Sequence, residues 1–149
     1  MKKLRTVFAA AALLLATSAF AANGPEKVST KVKAEFEKNF TGAVNVSWEK
    51  SDDFYFAYFE INAKKVSAAY NESGELLGIS RIIATAQLPL NISMAIANKY
   101  EGYDVEKTVT EVIYEGQTSY YVTVENNKQE LKLKCSSNAD ISVNSKKKK

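Results

Sequence analysis

The 149-residue sequence contains no histidine and has only one cysteine, two prolines and six glycines. Histidine is the most frequent general base and metal ligand in proteins, so its absence removes Ser-His catalytic triads and most zinc sites from consideration. The few glycines form no phosphate-binding loop. We therefore expect a protein that is not an enzyme and that binds no metal and no cofactor.

The lone cysteine, Cys135, cannot form a disulfide within the chain. It follows Leu131 and Leu133 at alternate positions, which is the period of one face of a strand. Because free cysteine usually behaves as a small hydrophobic residue, we expect Cys135 to lie in the core. A reactive or intermolecular thiol is the alternative.

The N-terminal segment has the three parts of a secretory signal peptide. Three basic residues precede an apolar run from Val7 to Ala16, and Ala19-Phe20-Ala21 fits a small-residue cleavage site. The apolar run is shorter than the roughly 20 residues that a bilayer requires. We therefore expect residues 1–21 to be removed, which leaves an exported and soluble chain without a transmembrane anchor.

Removal of that segment changes the charge of the protein. The formal net charge of +3 disappears with Lys2, Lys3 and Arg5, leaving 17 basic and 17 acidic residues. Without the terminal run Lys146 to Lys149, 13 basic residues face 17 acidic ones. Such an acidic body does not predict a nucleic-acid-binding surface. We expect residues 146–149 to be a disordered, solvated tail, with contact to an anionic membrane as the alternative.

Two stretches have the apolar spacing of amphipathic helices. In the first, Val28, Val32, Phe36 and Phe40 recur every four positions, which predicts a helix that starts near Pro25 and ends by Gly42. In the second, Ile92, Ile96 and Tyr100 follow Pro89 and precede Gly102. The segments after each helix have strand periodicity and turn signals, predicting strands over residues 44–49, 54–62, 64–70, 75–83, 105–114, 119–125, 130–135 and 141–143.

The two halves of the chain match each other in order and spacing. An offset of 60 residues places Phe36 on Ile96, and an offset of 65 later places Tyr70 on Cys135. This match predicts an α+β fold, a tandem repeat of one helix packed on an antiparallel sheet of about four strands. Residues 22–145 would form one domain whose repeats span about 26–84 and 87–144. Chance similarity between two helix-plus-sheet segments is the alternative.

The strand from Phe54 to Ile61 is aromatic on both faces. We expect Tyr55, Ala57, Phe59 and Ile61 to face the helix, which turns Phe54, Phe56 and Tyr58 to the other face together with Tyr121 of the second half. In a one-layer fold these rings would be exposed, and exposed aromatic patches mark interaction sites. The alternative is that the second face is additional core. Alanine at Phe56 and Tyr58 would leave stability nearly unchanged in the first case only.

Several motifs together carry a family resemblance. They are Phe36-Glu37-Lys38-Asn39-Phe40, Trp48 on a short strand, the aromatic strand from Asp53 to Phe59, and the turn from Tyr70 to Leu76. Over about Val28 to Val143 the chain resembles the PepSY-like, beta-lactamase-inhibitor-like family of small envelope proteins. The resemblance implies a helix-plus-sheet repeat fold and a periplasmic location. The second half departs from the pattern, since it lacks the tryptophan and has Ala139 in place of the turn glycine.

The same resemblance suggests a function. PepSY modules accompany or inhibit peptidases, and beta-lactamase inhibitors hold an enzyme on their sheet face. We therefore expect an exported binding protein that contacts an envelope protein, such as a hydrolase or peptidase, and inhibits it by occlusion. Phe54, Phe56, Tyr58 and Tyr121 are its candidate binding residues. A small-ligand-binding or structural envelope protein is the alternative, and nothing in the sequence indicates its oligomeric state.

Overall fold

The computed structural model describes residues 28–149, so the predicted signal peptide and its cleavage site lie outside the described part. Residues 28–149 form two α-helices, one short 3-10 helix and nine strands, which confirms an α+β fold. The chain divides into two compact units, with unit 1 ending at Arg81 and unit 2 spanning Ile82–Lys149. Neither helix of the described part is long and apolar enough to span a membrane.

Unit 1 contains one helix and a meander of antiparallel strands. Each strand pairs with the next one along the chain, in the order β1-β2-β3-β4. The elements are α1 (Thr30–Asn39), β1 (Val44–Ser51), β2 (Phe54–Ile61), β3 (Lys64–Asn71) and β4 (Leu76–Ala84), the last of which continues into unit 2.

Helix α1 begins at Thr30, whereas the sequence pattern predicted a start near Pro25. Ser29 is extended and its Oγ accepts a hydrogen bond from the backbone N–H of Val32 at 3.2 Å. This is the geometry of a helix N-cap, which satisfies one of the free N–H groups of the first turn. Val28 precedes the cap, yet it is still buried in the same core as the helix.

The core of unit 1 lies between α1 and the sheet. Val32 and Phe36 pack against side chains from β2 and β3. The ring of Phe36 makes edge contacts with Trp48 at 5.2 Å and Phe59 at 5.0 Å between centroids. Such tilted and edge-to-face pairs add a favourable electrostatic term to the burial of apolar area.

Unit 2 also combines one helix with antiparallel strands. Strands β6 to β9 pair in chain order, and the short strand β5 pairs with β7. The elements are a 3-10 helix (Thr85–Gln87), α2 (Leu90–Lys99), β5 (Asp104–Val105), β6 (Thr108–Tyr114), β7 (Gln117–Glu125), β8 (Gln129–Ser136) and β9 (Ile141–Lys148).

One predicted strand is interrupted in the structure. The alternation over residues 105–114 predicted a single strand, but β5 and β6 are separated at Glu106 and Lys107. The N–H of Glu106 still bonds to the carbonyl of Thr123 at 3.0 Å, while the carbonyl of Lys107 accepts from the N–H of Thr85 at 2.9 Å. The second bond draws the backbone away from the ladder toward the 3-10 helix.

The C-terminal residues form a strand, so the prediction of a disordered tail at residues 146–149 is wrong. Strand β9 runs to Lys148, with Lys146 opposite Leu131 and Lys147 opposite Glu130. Lys149 donates its N–H to the carbonyl of Lys128, and its Nζ lies 2.7 Å from Glu125 Oε2. Backbone pairing with β8 outweighs the poor strand propensity of a lysine run, because every residue of the strand gains ladder hydrogen bonds.

The core of unit 2 forms between α2 and strands β6 to β8. Ile92 and Ile96 pack on Val122, Val124 and Leu133. Cys135 is fully buried in this core, as predicted. Burial raises the pKa of its thiol to about 11, with a small opposing effect from the nearby charge of Lys99. Because the thiolate is the reactive form of cysteine, this thiol is unreactive in the folded state.

Candidate binding surface

In each unit, one sheet face is covered by the helix, and we call the opposite one the rear face. Tyr55, Ala57 and Phe59 pack with α1, which turns Phe56 and Tyr58 to the rear face of unit 1. In unit 2, Tyr120, Val122 and Val124 pack with α2, which turns Tyr121 and Thr123 to its rear face. The predicted sidedness of both strands is confirmed.

The rear face of unit 1 is not an exposed aromatic patch. Phe56 is 3% exposed and Tyr58 is 7% exposed, so the expectation that they are accessible is wrong. Their partners across the sheet are small, with Ala69 opposite Phe56 and Ser67 opposite Tyr58. Small residues beside large rings leave the rings room to pack closely, and this face is therefore additional core.

The polar groups of this face are paired with one another. The Tyr58 hydroxyl donates to Glu49 Oε2 at 3.1 Å, and the hydroxyls of Ser67 and Ser80 lie 2.7 Å apart. Burial, reinforced by the carboxylate of Glu49, raises the pKa of Tyr58 well above its usual range. The phenol therefore stays protonated and serves as a structural donor.

Phe54 is the predicted binding residue of unit 1 that remains partly accessible. It is half-buried at the start of β2, opposite Ser51 on β1 and Asn71 on β3. Its role in binding stays a prediction.

The rear face of unit 2 has a different character around Tyr121. This ring is half-buried between Thr110 on β6 and Lys134 on β8, and Lys134 Nζ lies 6.0 Å from the ring centroid. Burial raises the pKa of the Tyr121 phenol, so its hydroxyl is available as a donor at neutral pH. An aromatic ring with a polar tip, beside a cation and a hydroxyl, suits contact with another polypeptide.

Hydroxyls and lysines fill the surrounding positions. Thr123 pairs with Lys132, and β9 places Ser145 opposite Lys132 and Ser142 opposite Lys134. Lys134 and both serines are exposed, and Lys132 is half-buried. We had not assigned these lysines from the sequence, although the alternation Leu131-Lys132-Leu133-Lys134 places both on the face opposite the core.

Most of the lysines near this face lack a carboxylate partner. Residues 128–149 contain seven lysines, and within the described part of the chain only Lys149 among them forms a salt bridge. Lys147 lies across from Glu130 on neighbouring strands, yet the two form no ion pair. The surface built by β8 and β9 therefore presents positive charge that the described residues do not neutralise.

A second exposed feature of unit 2 is an apolar pair on α2. Leu90 is 75% exposed and Met94 is 56% exposed, one helical turn apart. The residues 60 positions earlier on α1 are Thr30 and Ala34. The outer sides of the two helices thus differ in the same sense as the rear faces, with unit 2 offering more contact surface.

The described residues offer no site for a metal ion. No group of three or more histidine, cysteine, aspartate or glutamate side chains that could hold one occurs within residues 28–149. The chemistry available at the rear face of unit 2 is therefore that of ammonium groups, hydroxyls and one phenol. These groups recognise anionic and hydrogen-bonding partners.

Comparison with known proteins gives a likeness of fold. No protein-family model and no curated protein matches the sequence. Among solved structures, a BLIP-like protein from Bacteroides fragilis superposes with a TM-score of 0.67 at 20% identity, over 84% of this chain and 89% of that chain.

Two further structures agree with this result. A DUF2874 family protein from Bacteroides uniformis has a TM-score of 0.68 at 18% identity, covering 80% of this chain and 88% of its own. A candidate periplasmic protein from Bacteroides eggerthii has a TM-score of 0.70 at 16% identity, covering 83% and 90%. These neighbours match the beta-lactamase-inhibitor-like resemblance of the sequence, and at such identities they establish the fold alone.

Proposed function

We propose that this chain is an exported, non-enzymatic periplasmic protein that binds another protein through the rear face of unit 2. The carrying observation is that this face is accessible and is built around the half-buried Tyr121, with Lys132 and Lys134 beside it. The rear face of unit 1 is closed by its own aromatic residues. Export rests on the predicted signal peptide, and the absence of histidine from the sequence supports a role without catalysis.

The physical form of this surface suits protein recognition. Tyr121 lies on β7, which is paired on both sides by β6 and β8, so the backbone that carries the ring is held by two ladders of hydrogen bonds. A preorganised aromatic anchor loses little conformational entropy on binding. Interface residues of this kind frequently carry 2 kcal/mol or more of the binding energy, on the order of a thirtyfold change in affinity.

The partner we propose is an envelope hydrolase or peptidase that is inhibited by occlusion. This follows from the resemblance to beta-lactamase-inhibitor-like proteins and from the shared fold of the BLIP-like protein of Bacteroides fragilis. Phe54 and Tyr121 remain the proposed contact residues. Phe56 and Tyr58 become supports that hold the sheet of unit 1.

We also propose that the two units are tandem repeats within one domain. Their support is the match of buried positions, since Val32 and Phe36 on α1 correspond at an offset of 60 to Ile92 and Ile96 on α2. The later offset of 65 pairs Tyr70 with Cys135, and both are fully buried.

The test is capture from an envelope extract by immobilised mature chain, followed by titration calorimetry with the purified captured protein. We expect a stoichiometric partner whose affinity falls about tenfold or more in the Tyr121→Ala variant. The matched control is Met94→Ala, which removes an exposed apolar side chain from α2 and should bind normally. Co-purification of a small molecule without a protein partner would favour the ligand-binding alternative and contradict this proposal.

A further inference from the structure

We infer that the site on unit 2 takes an acidic, extended segment of polypeptide, aligned along strands β8 and β9. This inference rests on the proposed function, because it names the chemistry of the partner at that same face. It depends on how charge is distributed along the described chain, on the position of two lysines within the sheet, and on their spacing.

The described chain is strongly polarised in charge. Residues 28–127 contain nine basic and 14 acidic residues, whereas residues 128–149 contain seven lysines and only two acidic residues, Glu130 and Asp140. The two parts balance overall, so the positive end is a local feature rather than a property of the composition. A local field of one sign raises the encounter rate and the selectivity for partners of the opposite sign.

Protection of a sheet edge does not explain Lys132 and Lys134. Lysines on edge strands commonly prevent edge-to-edge aggregation, and that role fits Lys146, Lys147 and Lys148 on β9. Strand β8, however, is paired on one side with β7 and on the other with β9. Its two lysines project from the rear face of an interior strand, where they protect no edge.

The positions 65 residues earlier show that a sheet of this kind does not need lysine there. Ser67 and Ala69 of β3 correspond to Lys132 and Lys134, and both are buried. The two lysines instead keep the rear face of unit 2 solvated and charged. That makes it suitable for a partner that brings its own carboxylates.

The spacing of the cationic groups favours an extended occupant. Lys132 and Lys134 are two residues apart on one strand, about 6.8 Å along its axis, which is also the repeat of alternate side chains in an extended peptide. Thr123, Ser142 and Ser145 lie in the adjoining rows, where their hydroxyls can bond to carboxylate or backbone groups of the occupant. Tyr121 supplies an aromatic contact at one end of the lysine pair. The surrounding hydroxyls offer nothing to insert into a bilayer, which disfavours a lipid surface.

The experiment measures fluorescence-anisotropy binding of a labelled peptide in which glutamate alternates with threonine. The control peptide has glutamine in place of glutamate. We expect the mature chain to bind the glutamate peptide at low ionic strength, to bind the glutamine peptide at least about tenfold more weakly, and to lose binding near 1 M salt, where the screening length is about 3 Å.

The matched variants carry the same change in net charge at different places. Lys132→Glu, Lys134→Glu and Lys147→Glu together should lower affinity for the glutamate peptide by about tenfold or more. Lys33→Glu, Lys64→Glu and Lys107→Glu together should leave it nearly unchanged, since all three are exposed and lie away from the rear face of unit 2. Circular dichroism and thermal melting of both triple variants establish that they fold.

Each contrary result overturns the inference. Equal losses in both triple variants would indicate a response to net charge alone. Binding to vesicles containing anionic lipid, with none to the glutamate peptide, would assign the lysines to a membrane surface, and self-association lost in the first triple variant would assign them to a second copy of the chain. If a captured envelope protein depends on Tyr121 but is insensitive to lysine reversal and to salt, the proposed function stands and the acidic partner does not.

Discussion

On the rear face of unit 1, Phe56 lies opposite Ala69 and Tyr58 lies opposite Ser67. The corresponding pairs of unit 2, 65 residues later, are Tyr121 with Lys134 and Thr123 with Lys132. Both pairs occupy antiparallel strands next to a helix-covered core, yet one face is buried and the other is accessible. Two large apolar rings beside small residues close a sheet face, whereas two lysines beside hydroxyls keep it solvated.

The strongest test of this contrast compares Phe56→Ala with Tyr121→Ala. We expect Phe56→Ala to lower the free energy of unfolding by about 3 to 5 kcal/mol, because it leaves a cavity beside Ala69 in a face with almost no solvent access. Tyr121→Ala removes a half-buried ring from an accessible face and should cost about 1 kcal/mol. Urea denaturation followed by circular dichroism measures both.

The control for this comparison is Phe54→Ala, a half-buried position of the same strand as Phe56. Its cost should fall between those of the other two variants. A cost at Phe56 no larger than that at Tyr121 would show that the rear face of unit 1 opens in solution, and it would return Phe56 and Tyr58 to the candidate binding residues.

A second contrast concerns the core positions Tyr70 and Cys135, which are both fully buried. The pKa of the Cys135 thiol is raised from an ordinary value of 9.0 to about 11, chiefly by burial. Between these pH values the unfolded chain has lost the thiol proton while the folded chain keeps it, so the thiol contribution to stability falls as pH rises. We expect this loss to be about 1 to 3 kcal/mol by pH 11.

The measurement is the difference between the original chain and a Cys135→Val variant, each unfolded in urea at several pH values between about 8 and 11. Tyrosines, including Tyr70 with its raised pKa, titrate in the same range and contribute equally to both proteins. A pH-independent difference would show that the thiol is more solvated than its position in the core indicates. Rapid labelling of the native thiol at neutral pH would lead to the same conclusion.

The side that each strand residue faces could be predicted from the sequence because it depends on local alternation alone. Tyr55, Ala57 and Phe59 face the helix, as the period of two requires. Both helices were also predicted, since apolar spacing fixes which side of a helix is buried. The start of α1 was missed because the cap at Ser29 is a local hydrogen bond that competes with helical spacing further upstream.

Accessibility could not be predicted in the same way, because it depends on what packs over a face rather than on the alternation within it. Nothing local to Phe56 distinguishes a ring in a core from a ring on a surface. The ordered strand at Lys146 to Lys148 depends on ladder bonds with residues of β8 that are distant in sequence. The lysines of β8 were overlooked for a different reason, since a lysine on a strand is ordinarily a solvated residue.

The smallest effects concern the matched turns after β3 and after β8. In unit 1 the N–H of Gly74 donates to the carbonyl of Asn71 at 3.0 Å, and in unit 2 the N–H of Ala139 donates to the carbonyl of Ser136 at the same distance. Gly74 has φ +83° and Ala139 has φ +65°, so both are left-handed. Only glycine adopts this conformation without steric cost.

Exchanging the two residue types should therefore have opposite effects. Gly74→Ala should destabilise by about 1 to 2 kcal/mol, because its new Cβ would be strained and would lie 3.3 Å from Lys31 Cγ. Ala139→Gly should stabilise by up to about 1 kcal/mol, since relief of the same strain exceeds the added entropy of the unfolded chain. Ala97→Gly on the exposed side of α2 is the matched control and should cost about 1 kcal/mol, because glycine is unfavourable within a helix. If Ala139→Gly is as destabilising as Ala97→Gly, the turn of unit 2 does not hold Ala139 in the left-handed conformation, and the correspondence between the two turns fails.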